Sequence, residues 1–396
     1  MTTRETDARR SAIARRKAAR RKRKIAIFIV EIILIFVMLF VVFVVVKGTG
    51  GFGKGSDEGG FFAKLSQAFN PNSGPKITKI DEEEIMSALS EQVQMEVEEG
   101  SMKGYINIAL FGVDANNDSQ LYKNSRSDST MIASINTSTG DIKLLSVYRD
   151  TYLNVGQVKG NVKYNKCNSA YSYGGPEQAI KMLNSNLDMN IEKFVTVGYR
   201  GLKEVIDGLG GVYLDINDVE LQHINNYQID IADKLNTTYV PVTQTGRQLL
   251  NGLQASAYCR IRYGGGDDFL RASRQREVIL AIEEQAKNVS FDKLTKAYEG
   301  AIGDIYTNID SKDILDLLKN ITKYKVVAED GMPQESMRTT GNIGAKGSCV
   351  VPLSLESNVE WMHKFFFDDD NYAVSDTVKN YGKQIASDTN PYIQRN

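Results

Sequence analysis

The sequence predicts an α/β fold, a central mixed β-sheet sandwiched by helices, preceded by one N-terminal transmembrane helix. Three observations carry this. Strand-like apolar runs alternate with helical patterns between Tyr105 and Lys287, which argues a sheet covered on both faces. Two of the runs flank a turn cluster and so pair antiparallel. A long apolar stretch directly follows a basic leader and has the length of a bilayer crossing.

The leader, residues 1–24, includes Arg9, Arg10, Arg15, Arg16 and the run from Arg20 to Lys24. Ile25 to Val46 is apolar apart from Glu31, and at helical rise it spans a hydrocarbon core of about 30 Å. It is longer than the apolar centre of a cleaved signal peptide and leads into Lys47 and glycines, so it reads as an uncleaved anchor. Basic residues on one flank put residues 1–24 in the cytoplasm and everything after Lys47 outside, in a single-pass cell-membrane protein. Such a block could also be a nucleic-acid arm. Beside a span its role is topology, and no nucleic-acid partner is expected.

The 396 residues allow one large domain or two moderate ones, and 42% hydrophobic with 24% charged residues excludes disorder, collagen and a multi-span transporter. The net charge of −1 hides an acidic remainder behind the basic leader. Cys167, Cys259 and Cys349 have no metal-ligand spacing and form no disulfide framework. They read as buried free thiols, with one bridge as the alternative.

Residues 47–80, rich in Gly, Ser and Asn, form a linker. Residues 81–104 carry Ile85, Leu89, Val93 and Val97 at helical spacing, an amphipathic helix packing on the main domain. That domain, 105–325, opens with a strand at Ile106 to Val113, then a hairpin of Thr130 to Asn136 and Ile142 to Tyr148. Helix, strand, helix and strand come next at Pro176 to Leu187, Phe194 to Gly198, Gly201 to Leu209 and Val212 to Ile216. A short helix at Gly252 to Tyr258 feeds a brief strand at Cys259 to Arg262, then a long helix from Asp268 to Lys287 and an amphipathic one from Asp310 to Tyr324. The extension, 326–396, reads as partly irregular, with a strand at Cys349 to Pro352 and a loose tail after Ala373.

Five segments put charge at strand ends or helix starts. Gly112-Val113-Asp114 and Arg126-Ser127-Asp128 offer two carboxylates of the kind Mg²⁺ takes alongside water and phosphate. Aspartates at strand ends also simply form turns. Arg149, in Val147-Tyr148-Arg149-Asp150-Thr151, would point into the crevice at the sheet's carboxyl edge, or pair with Asp150 on the surface. Lys163, in Lys163-Tyr164-Asn165-Lys166, could contact phosphate or lie in a solvated loop. In a strand, Arg260 and Arg262 share one face. On the next helix Asp268, Arg271 and Gln275 share a stripe that continues as Val278, Ile279 and Ile282, so the polar first turns face the interior, with Arg274 off the stripe. Guanidiniums aimed inward need an anion. Phosphate matches their fork, and a buried network with Asp114, Asp128, Asp150 and Asp268 is the alternative.

With these motifs, Gly208 to Val212 and Tyr171 to Gly175, the chain resembles the LytR-CpsA-Psr family of cell-wall phosphotransferases over Tyr105 to Lys287. The resemblance implies a polyprenyl-pyrophosphate-linked glycan as donor, peptidoglycan as acceptor and Mg²⁺ as cofactor. By position, Asp114 and Asp128 would hold the metal, while Arg149, Lys163, Arg260, Arg262, Arg271 and Gln275 would surround the pyrophosphate. Arg274 is a further candidate. A muramic-acid hydroxyl would attack phosphorus, with Asp128 or Asp268 taking its proton. Tyr148, Cys259, Leu270 and Asn116 stand where the family often has proline, valine, glycine and arginine. A non-catalytic receptor for lipid-linked glycan and a pyrophosphatase using water as acceptor are the rival functions.

Overall fold

The structure, a computed structural model, describes residues 76–77, 84–85, 88–114, 121–122, 124–262, 267–286, 288–289, 293, 297, 300–309 and 324–393. The basic leader, the apolar stretch at 25–46, most of the linker and all but the last residue of the helix expected at Asp310 to Tyr324 lie outside these residues. Among the described residues no helix is long and apolar enough to cross a membrane.

Along the chain run β1 (Lys76–Ile77), α1 (Glu91–Glu98), β2 (Tyr105–Val113), β3 (Ser127–Asn136) and β4 (Asp141–Val147). Then come β5 (Tyr152–Val158), β6 (Asn161–Lys166), α2 (Asn168–Leu187), β7 (Lys193–Val197), α3 (Tyr199–Leu209) and β8 (Val212–Ile216). They are followed by α4 (Asp218–Leu235), β9 (Gly246–Leu250), α5 (Gly252–Tyr258), α6 (Asp267–Ala286) and β10 (Ile305–Thr307). The chain closes with β11 (Lys325–Met332), β12 (Arg338–Asn342), β13 (Ser348–Pro352), α7 (Leu355–Phe367) and α8 (Asp376–Thr389).

Seven strands make one sheet in the order β1-β10-β7-β2-β3-β4-β11. The pairs β2–β3 and β3–β4 are antiparallel, whereas β7–β2 and β4–β11 are parallel, so the sheet is mixed. Both faces are buried, and period-two alternation assigns each side chain to one core. Ile106, Ile108 and Leu110 of β2 face a cluster with Ile206, Leu209, Ile224, Leu253 and Val278 from α3 to α6. Ala109, Phe111 and Val113 face the other, with Ile180 and Leu183 of α2 and Val359, Met362 and Phe366 of α7.

Local chemistry sets the element ends. α4 and α5 each begin with a capping box, Asn217 with Glu220 and Asn251 with Gln254, which satisfies two N-terminal amides in each. α3 stops at Gly210, whose φ of 85° is left-handed, a conformation a Cβ disfavours. Gly174 and Gly175 break α2 just before Pro176, where the sequence places a helix start.

Two expectations are corrected. Cys259 to Arg262 is not a strand. The amides of Cys259, Arg260 and Ile261 bond back to Ala255, Ala257 and Tyr258, so the segment is a turn that unwinds from α5. The extension, expected to be partly irregular, is more regular than that. β11 adds an edge strand beside β4, and α7 and α8 bring Val359, Phe366, Val378 and Ile385 into the core, past the point where a loose tail was expected. The three cysteines are free, as expected, with Cys167 and Cys349 buried.

Candidate active site

The antiparallel pairing of β2, β3 and β4 brings the end of β2, the start of β3 and the end of β4 to one sheet edge. Asp114, Asp128 and Arg149 therefore meet there, and the first turns of α6 cross above them. Asp128 is the hub. Arg149 Nη1 donates to its Oδ1, and Arg271 Nη2 lies 2.8 Å from its Oδ2. Burial alone would raise the Asp128 carboxyl, but Arg271 and Arg149 hold it below its ordinary value. Arg149 Nε also reaches Asp150 at 3.3 Å, and Lys166 bonds the other oxygen of Asp150 at 2.9 Å.

Positive charge is left over. The Arg271 side chain is only 4% exposed, yet its Nε and Nη1 have no hydrogen-bond partner among the described residues. Burial and the like charges of Arg271 and Arg149 pull the Arg262 guanidinium below its ordinary value, and its nearest carboxylate, Asp268, is 3.9 Å away. A buried guanidinium with unused N–H groups calls for an anionic acceptor.

Beside the cluster opens an apolar cavity of about 150 Å³ running between the sheet and α6. Leu110, Val195, Val197, Val205, Val278 and Ile282 wall it, while Asp128, Arg260, Arg271 and Gln275 stand at its polar end. A smaller polar cavity continues beyond, lined by Ser146, Tyr148, Arg149 and Asp268, and shares Asp128, Arg271 and Gln275 with the first. The site can thus take an apolar chain with an anionic head beside it.

The LytR_cpsA_psr family model matches residues 72–362. The chain belongs to this family. Among curated relatives it is 28% identical over 235 residues to the polyisoprenyl-teichoic acid–peptidoglycan teichoic acid transferase TagU of Enterococcus faecalis, covering 59% of this chain and 70% of that protein. It is 29% identical over 245 residues to TagT of Bacillus subtilis, a transferase of the same description, covering 60% of this chain and 69% of that one. A crystal structure of a Streptococcus agalactiae protein superposes with a TM-score of 0.57 at 25% identity, covering 71% of this chain and 93% of that one.

Within this LytR_cpsA_psr chain the predicted site residues divide. Asp128, Arg149, Arg271, Gln275 and Asp268 converge around the two cavities. Arg260 lines the apolar cavity and Arg262 lies 3.9 Å from Asp268, and the segment that carries them is a turn after α5 rather than the strand expected to hold them on one face. Arg260 instead bonds Asp230 and lies over the rings of Tyr199 and Tyr227, 5.3 Å from each centroid. Arg274 points elsewhere. Its Nε is 2.8 Å from Glu220 and its Nη1 bonds the Ile261 carbonyl, so its charge is neutralised within the fold. Lys163 is exposed on β6, 5.8 Å from the Tyr173 ring centroid, and lines neither cavity.

Asp114 carries a partner the sequence did not reveal. Lys234, from the last turn of α4, donates to both its oxygens at 2.8 and 3.1 Å. Lys234, Asp230 and Tyr199 sit in elements remote in sequence from Asp114, and no local spacing announces them. Among the described residues no group of three or more His, Cys, Asp or Glu converges as a metal site.

Proposed function

We propose that this chain transfers a phosphate-linked glycopolymer from a polyprenyl-pyrophosphate carrier to peptidoglycan, forming a phosphodiester bond. One observation carries the reading: an apolar cavity ends at Arg271, whose buried Nε and Nη1 lack acceptors among the described residues. A prenyl chain suits the first part and a pyrophosphate the second. The curated relatives' names describe this same transfer from polyisoprenyl-linked teichoic acid.

In this reading the prenyl tail lies among Val195, Val205, Val278 and Ile282, and Arg149, Arg260, Arg262 and Arg271 surround the pyrophosphate, with Gln275 beside them. A sugar hydroxyl of the acceptor attacks the glycan-proximal phosphorus. The bond to the prenyl-side bridging oxygen breaks, polyprenyl phosphate leaves, and the guanidiniums stabilise charge that builds on the phosphoryl oxygens. The hydroxyl proton goes to a carboxylate. Asp128 is clasped by two guanidiniums, whereas Asp268 Oδ1 has no hydrogen-bond donor among the described residues. Asp268 is therefore the better placed acceptor.

Asp114 and Asp128 are the carboxylates that would hold Mg²⁺ in this reading: Asp128 is held ionised and lines the cavities, and the ion would have to displace Lys234 from Asp114 and share Asp128 with Arg149 and Arg271. Bound there, Mg²⁺ would neutralise phosphate charge. The anchor reading of residues 25–46 completes the proposal: a single span with a cytoplasmic N-terminus and the site outside.

The test uses full-length chain in lipid nanodiscs with Mg²⁺, a polyprenyl-pyrophosphate glycan and peptidoglycan. Release of polyprenyl phosphate with glycan on peptidoglycan supports the proposal. Release that needs no peptidoglycan would identify a pyrophosphatase, and tight binding without turnover a receptor.

A further inference from the structure

We propose that Arg338, in the C-terminal extension, is a positioning residue that clamps Tyr148 to Phe269 and so holds Arg149 and Asp268 in register across the site. Its kinetic arm rests on the phosphotransferase reading; its structural arm does not.

The guanidinium carbon of Arg338 lies 3.7 Å from the Phe269 ring centroid and 4.9 Å from that of Tyr148. The two rings meet edge to face, 4.7 Å apart. Arg338 Nη1 donates to the Tyr148 hydroxyl at 3.2 Å and to the Pro333 carbonyl at 2.9 Å. One planar cation thus faces two rings while its edge is tied to backbone and phenol, a combination a lysine ammonium cannot reproduce.

The neighbours of those rings give the clamp its consequence. Tyr148 immediately precedes Arg149, and Phe269 immediately follows Asp268. The rings belong to different elements, the end of β4 and the first turn of α6, and the same first turns carry Arg271 and Gln275. A second tie between α6 and β4 lies further along the helix, where Arg276 Nη1 donates to Ser146 Oγ at 2.9 Å. The Tyr148 ring also helps wall the polar cavity.

The extension is shaped around this contact. β11 runs beside β4 with Met332 opposite Val147, and the Tyr148 amide donates to the Met332 carbonyl at 2.9 Å. Gly331 leaves room for the phenol: a Cβ there would lie 2.2 Å from the Tyr148 hydroxyl oxygen. Tyr148 is 7% exposed in this slot. β12 then delivers Arg338, pinned by its pairing with Pro352 on β13.

The experiment compares the full-length chain with Arg338→Ala, Arg338→Lys, Phe269→Leu and Tyr148→Phe in nanodiscs. Hydrogen exchange and steady-state kinetics are read together. Arg338→Ala is expected to speed exchange of amides 268–275 at least tenfold while residues 279–286 and α3 stay as in wild type. It should lower kcat at least tenfold with KM within threefold, because the apolar cavity still binds the carrier. Arg338→Lys should recover part of both effects. Unchanged exchange at 268–275, or unchanged kcat, in Arg338→Ala overturns the proposal. If Arg338→Ala does not fold, Phe269→Leu and Tyr148→Phe decide by the same criteria. If wild type has no turnover, the phosphotransferase reading fails and exchange alone decides the clamp.

Discussion

Arg271 Nη2 lies 2.8 Å from Asp128 Oδ2, while Nε and Nη1 of the same buried guanidinium meet no acceptor among the described residues. Half of this side chain is satisfied by the fold and half is left for something else. Arg271→Ala should therefore cost turnover more than stability. Loss of one donor to developing charge corresponds to about 2–4 kcal/mol of transition-state stabilisation. The check is kcat/KM for polyprenyl phosphate release, with thermal denaturation alongside. An Arg271→Ala protein with near wild-type turnover would count against the site.

Arg260 gives a second measure. It lines the cavity but is held by Asp230 and two tyrosine rings, so Arg260→Ala should also lower turnover, by less than Arg271→Ala. Activity above that of Arg271→Ala and below wild type is the expected order.

The apolar cavity predicts a steric block. Val278 is 1% exposed and lies on its wall. Val278→Trp should weaken binding of a polyprenyl pyrophosphate at least tenfold, on the order of 1.4 kcal/mol, yet leave binding of inorganic pyrophosphate within a factor of two. Titration calorimetry with both ligands separates the outcomes.

Acid stability should show two separate windows. His363 is fully buried, stacked on Tyr372, with Nε2 3.1 Å from the Leu187 carbonyl. Burial pulls its imidazole down to about 4. The unfolded imidazole titrates near pH ~6.5, so unfolding takes up a proton between the two values. Stability should fall as pH drops from about 6.5 to 4 and then level, a loss of about 3 kcal/mol. Tm against pH measures it, and His363→Gln should flatten that slope.

Asp128 acts below that window. Its folded value is depressed, so its contribution is whole above the unfolded value of about 3.9 and is lost as pH falls through the lower folded one. Asp128→Asn should remove this acid limb while leaving the His363 slope intact.

Much of this was legible in the chain. Strand and helix periodicity reflects burial on one face or two, so β2, β3, β4, α3 and α6 could be read from local pattern. The stripe of Asp268, Arg271, Gln275 and Val278 gave the direction of α6, because helical geometry alone places those residues on one face. The helix-to-turn transition at Cys259 was not legible. A short run of apolar and charged residues suits a strand as well as a turn, and the capping box at Asn251 with the backbone bonds after it decided the outcome.

Chain chemistry therefore specified which segments become strands and helices and that several guanidiniums gather near two carboxylates. Tertiary packing alone chose their partners: Glu220 for Arg274, Lys234 for Asp114, Asp230 for Arg260, and Tyr148 with Phe269 for Arg338. The reason is physical. Secondary structure arises from interactions within a few residues along the chain, whereas the partner of a charged side chain depends on which distant element the sheet order brings within about 4 Å.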